Sequence, residues 1–185
     1  MVQLFDVLSS GNRHSDERKK LSSQGYKIDK SLSNHNNQVY YNDKKKDLIY
    51  NVRGTHNLSD WGTNLSLAAG RIKSTKRYMD AHKGLRQAKA KYKIDGATVT
   101  GESLGGQIAS LIHSKNDKAF TFNKASTIGQ KERPSENSFR VAGDAISTFS
   151  NAKTLKNPHI ILPSTIANAY IAHSSSALKN HDISI

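Results

Sequence analysis

Val99-Thr100-Gly101-Glu102-Ser103-Leu104-Gly105-Gly106 is the stretch on which the reading of this chain turns. Residues Ala97–Thr100 form a compact apolar run suited to a buried strand, and Leu104–His113 carry a helix pattern. Between them stands Gly101-x-Ser103-x-Gly105. A turn this tight from strand to helix leaves little room for side chains two residues either side of the serine, so the glycines have a steric reason to be there. The serine is expected to stand exposed at the start of the helix. There the helix N-terminus and the N–H of Leu104 can stabilise a negatively charged oxygen. A bare G-x-S-x-G is common; the strand before it, the helix after it and the additional Gly106 make this instance specific.

Upstream, Gln38–Asn42 and Asp47–Arg53 read as two strands, with Asp43–Lys46 between them at hairpin length. From Ser74 to Tyr92, Tyr78, Ala81, Leu85, Ala88 and Tyr92 fall on one helical face, although Gly84 weakens the pattern. Lysines and arginines fill most of the rest of that helix, a face suited to an anionic surface and equally to water. Downstream, Ala119–Phe122, Phe139–Val141 and His159–Leu162 are short strand candidates. Strands alternating with helices predict an α/β chain with a mostly parallel or mixed sheet covered on both faces. No linker or repeat divides the sequence, so a single domain over 1–185 is expected. Residues 1–24 are expected to be a lead-in, of which the polar 14–24 forms a short helix or loose segment.

Composition narrows the chemistry. With no cysteine, disulfides, thiolate metal sites and a cysteine nucleophile are excluded. Neither a secretory leader nor a membrane-length apolar run is present, so the expectation is a protein made and kept inside a cell. Lys and Arg number 28 against 15 Asp and Glu, a net charge of +13 that raises encounter rates with polyanions: nucleic acid, anionic lipid headgroups or acidic partners. Gly101–Gly106 lacks the Lys-Ser/Thr ending of a phosphate-binding loop, and no zinc motif appears, so no cofactor is expected.

Several blocks resemble the class 3 lipase family, whose members have the α/β-hydrolase fold. GESLGG at 101–106 is similar to that family's GHSLGG elbow. Val52-Arg-Gly-Thr55, Asp60-Trp61 and Asn64-Leu65 look like its RGT…DW…NL segment. His82-x-Gly84-Leu85 is similar to its H-x-G-F helix start, and Thr121-Phe122-Asn123 to the strand after the elbow helix. Phe139-Arg140-Val141 followed by Gly143-Asp144-Ala145-Ile146 looks like the strand leading to the family's catalytic aspartate. The likeness spans roughly residues 38–182.

The resemblance implies a serine carboxylic ester hydrolase acting on lipid esters, as a lipase, phospholipase or esterase. Ser103 would be the nucleophile and Asp144 the residue that orients the base. The base would be a downstream histidine, because this fold orders its triad Ser, Asp, His. His159, His173 and His181 are available; His173, followed by serine near the chain end, fits the family best, with His181 the alternative. Thr55 would share the oxyanion with Leu104, while Asp60, Trp61 and Arg53 would brace that loop. His56 beside Thr55 reads as a loop histidine. Glu102 departs from the family histidine, Ser147 stands where the family has proline, and no amphipathic lid is evident. A small esterase or phospholipase is therefore expected over a triglyceride lipase, with a phospholipid or other lipid ester as substrate and an anionic membrane surface as partner. Small Lys- and Asn-rich proteins with such motifs also resemble those of some large DNA viruses and their parasites. Packaging in a virus particle is thus one expectation, and a nucleic-acid- or capsid-associated protein on an inactive scaffold is the rival.

Overall fold

The computed structural model of the chain describes residues 1–10, 15–54, 71–125, 133–141, 160–162 and 175–185. Their frame is a seven-stranded mixed sheet whose strands lie side by side in sequence order. The strands are β1 (Lys27–Ile28), β2 (Asn37–Asn42), β3 (Asp47–Val52), β4 (Thr98–Glu102), β5 (Lys118–Phe122), β6 (Glu136–Val141) and β7 (Ile160–Leu162). β1, β2 and β3 pair antiparallel, and β3 through β7 pair parallel. The expected hairpin is there, with Asn42 opposite Asp47. The expected Phe139–Val141 strand begins earlier, at Glu136.

Helices α1 (Leu4–Ser10), α2 (Ser15–Ser23), α3 (Lys76–Tyr92) and α4 (Ser103–Ile112) cover the sheet, and single 3-10 turns precede α3 and span Ser175–Asn180. Alternation along the strands sorts the two faces. Val39, Leu48, Tyr50, Val52 and Val99 pack under Ala81, Leu85 and Ala88 of α3 and Leu104, Ile108 and Ala109 of α4. On the opposite face Tyr40 and Ile49 meet Val7 and Leu21, while Phe122, Phe139 and Val141 meet Leu4, Leu8 and Leu178.

The start of the chain packs onto the sheet, and of the short helix or loose segment expected over 14–24 it is the helix that forms, as α2. Leu4, Val7 and Leu8 are buried on a short helix, and Asn51 donates to the Val7 carbonyl at 3.1 Å. The C-terminal segment locks over it through Leu4 N–H to Ile183 O at 2.8 Å and a bridge between Gln3 and Ser184.

α3 begins where the sequence suggests, because Thr75 caps it by accepting from the Tyr78 N–H. Gly84, a weak point by propensity, has a packing reason: a Cβ there would overlap the hydroxyl of Tyr50, itself fully buried. His82 lies in the middle of α3, exposed and stacked near Tyr78, and not at a helix start.

Candidate active site

The carboxyl ends of β3 and β4 meet in register, Val52 opposite Gly101, and the chain turns from β4 directly into α4 at Ser103. Two contacts fix how sharp that turn is. A Cβ on Gly101 would lie 2.5 Å from the Gly105 carbonyl carbon and 2.7 Å from the Gly106 nitrogen. One on Gly105 would lie 2.5 Å from the Arg53 carbonyl oxygen and overlap that of Val52. Both glycines are therefore required by close backbone approach, as the motif implies.

Ser103 itself has φ 52°, in the left-handed region that L-residues normally avoid. A non-glycine residue held there costs of order 1–2 kcal/mol, and such strain clusters at functional sites. Ser103 is the first residue of α4, and Glu102 at the N-cap makes no side-chain capping bond. The first N–H groups of a helix have no partner within the helix, so the Leu104 amide points from a positive helix end. In one respect the sequence expectation is corrected: Ser103 is 4% exposed, lying sunk in the fold and not standing at the surface. The elbow pulls it down, because α4 packs its first turn against β3 and against the segment after β5.

That segment supplies two supports. Ala125 N–H donates to the Ser103 carbonyl at 3.2 Å. Lys124 beside it is buried and ion-paired with Glu136, likewise buried. Glu136 also accepts from Ser110 of α4 at 2.8 Å and from Thr121 of β5 at 3.2 Å, and Thr121 reaches Ser138 at 3.1 Å. A polar cluster thus fills the space between α4 and the β5–β6 part of the sheet.

The third support comes from α3. Arg77 donates to the carbonyls of Arg53 and Gly54, the latter at 3.2 Å. Gly54 in turn lies against Glu102, its would-be Cβ 3.1 Å from Glu102 Cγ. Burial, and second the charge of Arg53, lowers the Arg77 guanidinium pKa. Burial also lowers that of Arg53, and the nearby Glu102 carboxylate opposes it. The glutamate that departs from the family histidine thus faces a cation.

Of the expected site residues, the structure brings together Ser103, Leu104, Glu102 and the Arg53–Gly54 stretch immediately before Thr55. Thr55, His56, Asp60, Trp61, Asn64, Leu65, Asp144, His159 and His173 lie outside the described residues. His181 follows the C-terminal 3-10 turn, its N–H bonded to Leu178 O at 2.8 Å, and no side-chain hydrogen bond joins it to a described residue. Among the described residues no group of three His, Asp or Glu side chains could hold a metal ion. No helix among them is long and apolar enough to cross a membrane.

Arg77, Lys124 and Glu136 were not singled out in the sequence. Arg77 is one basic residue among many on α3. A buried lysine runs against the usual preference of that side chain for solvent. The hint for Lys124 was its place two residues after the apolar strand Ala119–Phe122.

A strained serine between a parallel strand and a helix, with both flanking glycines sterically required, makes a sharp strand–turn–helix elbow on a mixed sheet covered by helices. Residues 9–158 match the Tle-like phospholipase domain, described as phospholipase-like, and the chain belongs to that family. Among solved structures it is similar to the lipase–propeptide complex of Rhizomucor miehei at 17% identity, over 65% of this chain and 51% of that one, with a TM-score of 0.42. It is also similar to the Lip2 lipase of Yarrowia lipolytica at 12% identity, over 74% and 63%, with a TM-score of 0.47. The chain therefore spans less than two thirds of the length of these lipases. No curated protein matches it in sequence.

Proposed function

We propose that the chain hydrolyses carboxylic esters of lipids, phospholipids foremost, with Ser103 as nucleophile. The observation that carries this reading is the left-handed Ser103 at the head of α4, in a chain of a phospholipase-like family. In this reading His173 takes the Ser103 proton as Oγ attacks the ester carbonyl, and Asp144 orients and stabilises the imidazolium. The amides of Leu104 and Thr55 hold the tetrahedral oxyanion. Collapse to an acyl-enzyme releases the alcohol, protonated by the same histidine, and water then releases the acid. β6 ends at Val141, shortly before Asp144, at the same carboxyl end of the sheet as Ser103, where open α/β sheets hold their ligands. Gly54 against Glu102 supports the assignment of Thr55.

The test is labelling of the purified chain with a fluorophosphonate, alongside release of fatty acid from phospholipid in mixed detergent micelles. Both are expected to vanish in Ser103→Ala and His173→Ala and to persist in His181→Ala. Labelling that survives in Ser103→Ala would overturn the assignment of the nucleophile. Loss in His181→Ala with retention in His173→Ala would move the base to His181.

A further inference from the structure

Helix α3 turns its apolar stripe to the sheet, and its outer face carries Lys76, Met79, Lys83, Arg86 and, at the C-cap, Lys93. The cations of this helix fall into two kinds. Those at its margins have carboxylates: Lys89 bonds the buried Asp117 at 2.8 Å and Lys91 the buried Asp29 at 2.5 Å. Of those on the outer face, Lys76 alone pairs with a described carboxylate, Asp80 of the next turn at 2.5 Å. Lys83, Arg86 and Lys93 are exposed and ion-paired to no described residue. One turn before Lys83, Met79 is 53% exposed; among the described residues it and Met1 are the exposed large apolar side chains. A shallow groove lined by Tyr78, Met79, His82, Lys83 and Arg86 runs along this face and contains neither Ser103 nor its neighbours. An exposed apolar side chain next to cations that no described carboxylate pairs suits a surface that is negative at its headgroups and apolar beneath them. The same helix, from its inner side, grips the backbone before Thr55 through Arg77.

We infer that the outer face of α3 docks the protein on bilayers containing anionic phospholipid, Lys83 and Arg86 meeting phosphate and Met79 entering the headgroup layer. This deepens the lipid-ester reading and rests on it for its purpose, which is delivery of the catalytic end of the sheet to a phospholipid surface.

The experiment is co-sedimentation of the full chain with phosphatidylcholine vesicles with and without phosphatidylglycerol, comparing wild type, Lys83→Gln/Arg86→Gln and Lys44→Gln/Lys45→Gln. Lys44 and Lys45 are exposed in the β2–β3 turn, at the far end of β3 from Val52, so that variant loses equal charge elsewhere. Each cation at a membrane surface is worth about fivefold in partitioning, so Lys83→Gln/Arg86→Gln should bind the anionic vesicles about 30-fold more weakly. Lys44→Gln/Lys45→Gln should bind like wild type. Equal weakening in both variants would mean that net charge alone is responsible and would overturn the inference. So would binding independent of phosphatidylglycerol, or equally tight binding to duplex DNA relieved by the same two substitutions. Turnover of a water-soluble short-chain ester is measured on the same samples and should be unchanged in Lys83→Gln/Arg86→Gln. No turnover in wild type would sink the hydrolase reading alone, because the vesicle comparison does not depend on it.

Discussion

Breaking the Lys124–Glu136 pair should cost the fold more than any other single exchange of charged residues described above. Both side chains are almost wholly enclosed, at 2% and 0% exposure, and Glu136 ties three elements together: Lys124 after β5, Ser110 on α4 and Thr121 on β5. Removing one partner leaves a charge buried without its counter-ion, at about 3–5 kcal/mol, whereas replacing both by apolar groups of like volume is often neutral or better. A domain has about 5–15 kcal/mol in all, so Glu136→Gln and Lys124→Met should each lie close to the limit of folding. In urea, with a slope near 2 kcal/mol/M, each midpoint should fall by about 1.5–2.5 M. Lys124→Met/Glu136→Leu should lose far less than the two single losses added together, a coupling of several kcal/mol. The cluster also sits behind Ser103, since Ala125 holds the Ser103 carbonyl. Single variants that do fold should therefore label more slowly with the fluorophosphonate. Midpoint shifts below about 0.5 M in both single variants, or a double variant whose loss is simply additive, would refute the claim that this ion pair joins α4 to the sheet.

Three further outcomes are expected. Gly84→Ala should destabilise by about 1–3 kcal/mol by thermal melting, despite the better helix propensity of alanine, because the methyl would meet the buried Tyr50 ring, its Cζ at 3.3 Å; a stabilised variant would show that α3 can lift away from β3. Ser103→Gly should melt about 2–4 °C above Ser103→Ala, since glycine relieves a φ of 52° and alanine does not, worth about 1 kcal/mol; equal melting temperatures would mean the elbow stores no strain. The third concerns acid. Burial raises the carboxyl pKa values of Asp29 and Asp117, but hydrogen bonds from Lys91, Ser31 and Tyr92 to the first, and from Lys89, Ser114 and Ala97 to the second, outweigh it and leave both below 3.8. A depressed pKa contributes stability that is complete above the unfolded value and is lost as pH falls through the folded one. Stability should thus drop from about pH 4 downward, and Asp29→Asn should lower the neutral plateau while flattening that drop; an unchanged acid limb in denaturant titrations would count against the role of this carboxylate.

What the sequence disclosed, and what it withheld, follows from the reach of each signal. β2 and β3 were legible as short runs of aromatic and branched apolar residues either side of a polar segment of hairpin length, and α3 because its apolar residues repeat with the helical period. The elbow was legible because backbone crowding at Gly101 and Gly105 permits almost nothing else there. α1 was not, although Leu4, Val7 and Leu8 have helical spacing: seven residues cannot hold a helix alone, and its stability comes from Tyr40, Ile49, Phe122 and the C-terminal segment, all distant in sequence. The burial of Ser103 escaped for a similar reason, because the motif fixes the sharpness of the turn but not what packs over it. Lys124 and Glu136 are the clearest case. Each alone reads as a solvent-facing charge, and only the parallel pairing of β5 with β6 makes them neighbours.

The geometry around Ser103 also argues for a division of labour among its supports. A left-handed serine persists only where its surroundings over-determine it. The glycines let α4 press against the β3 carbonyls, the Ala125 amide holds the Ser103 carbonyl, and the Lys124–Glu136 cluster anchors the helix one turn and more beyond. Of these, Gly105 reaches the β3 exit segment, at the Arg53 carbonyl. Arg77 grips the same segment from α3, whose outer face carries Lys83 and Arg86, ion-paired to no described residue. The elbow is thus fixed by the sheet and the segment after β5, while the backbone leading to Thr55 is held by a helix with an exposed side. A load on that exposed side would reach the backbone before Thr55 through Arg77, and from there the neighbours of Ser103, because Gly54 lies against Glu102 and Gly105 against the Arg53 carbonyl.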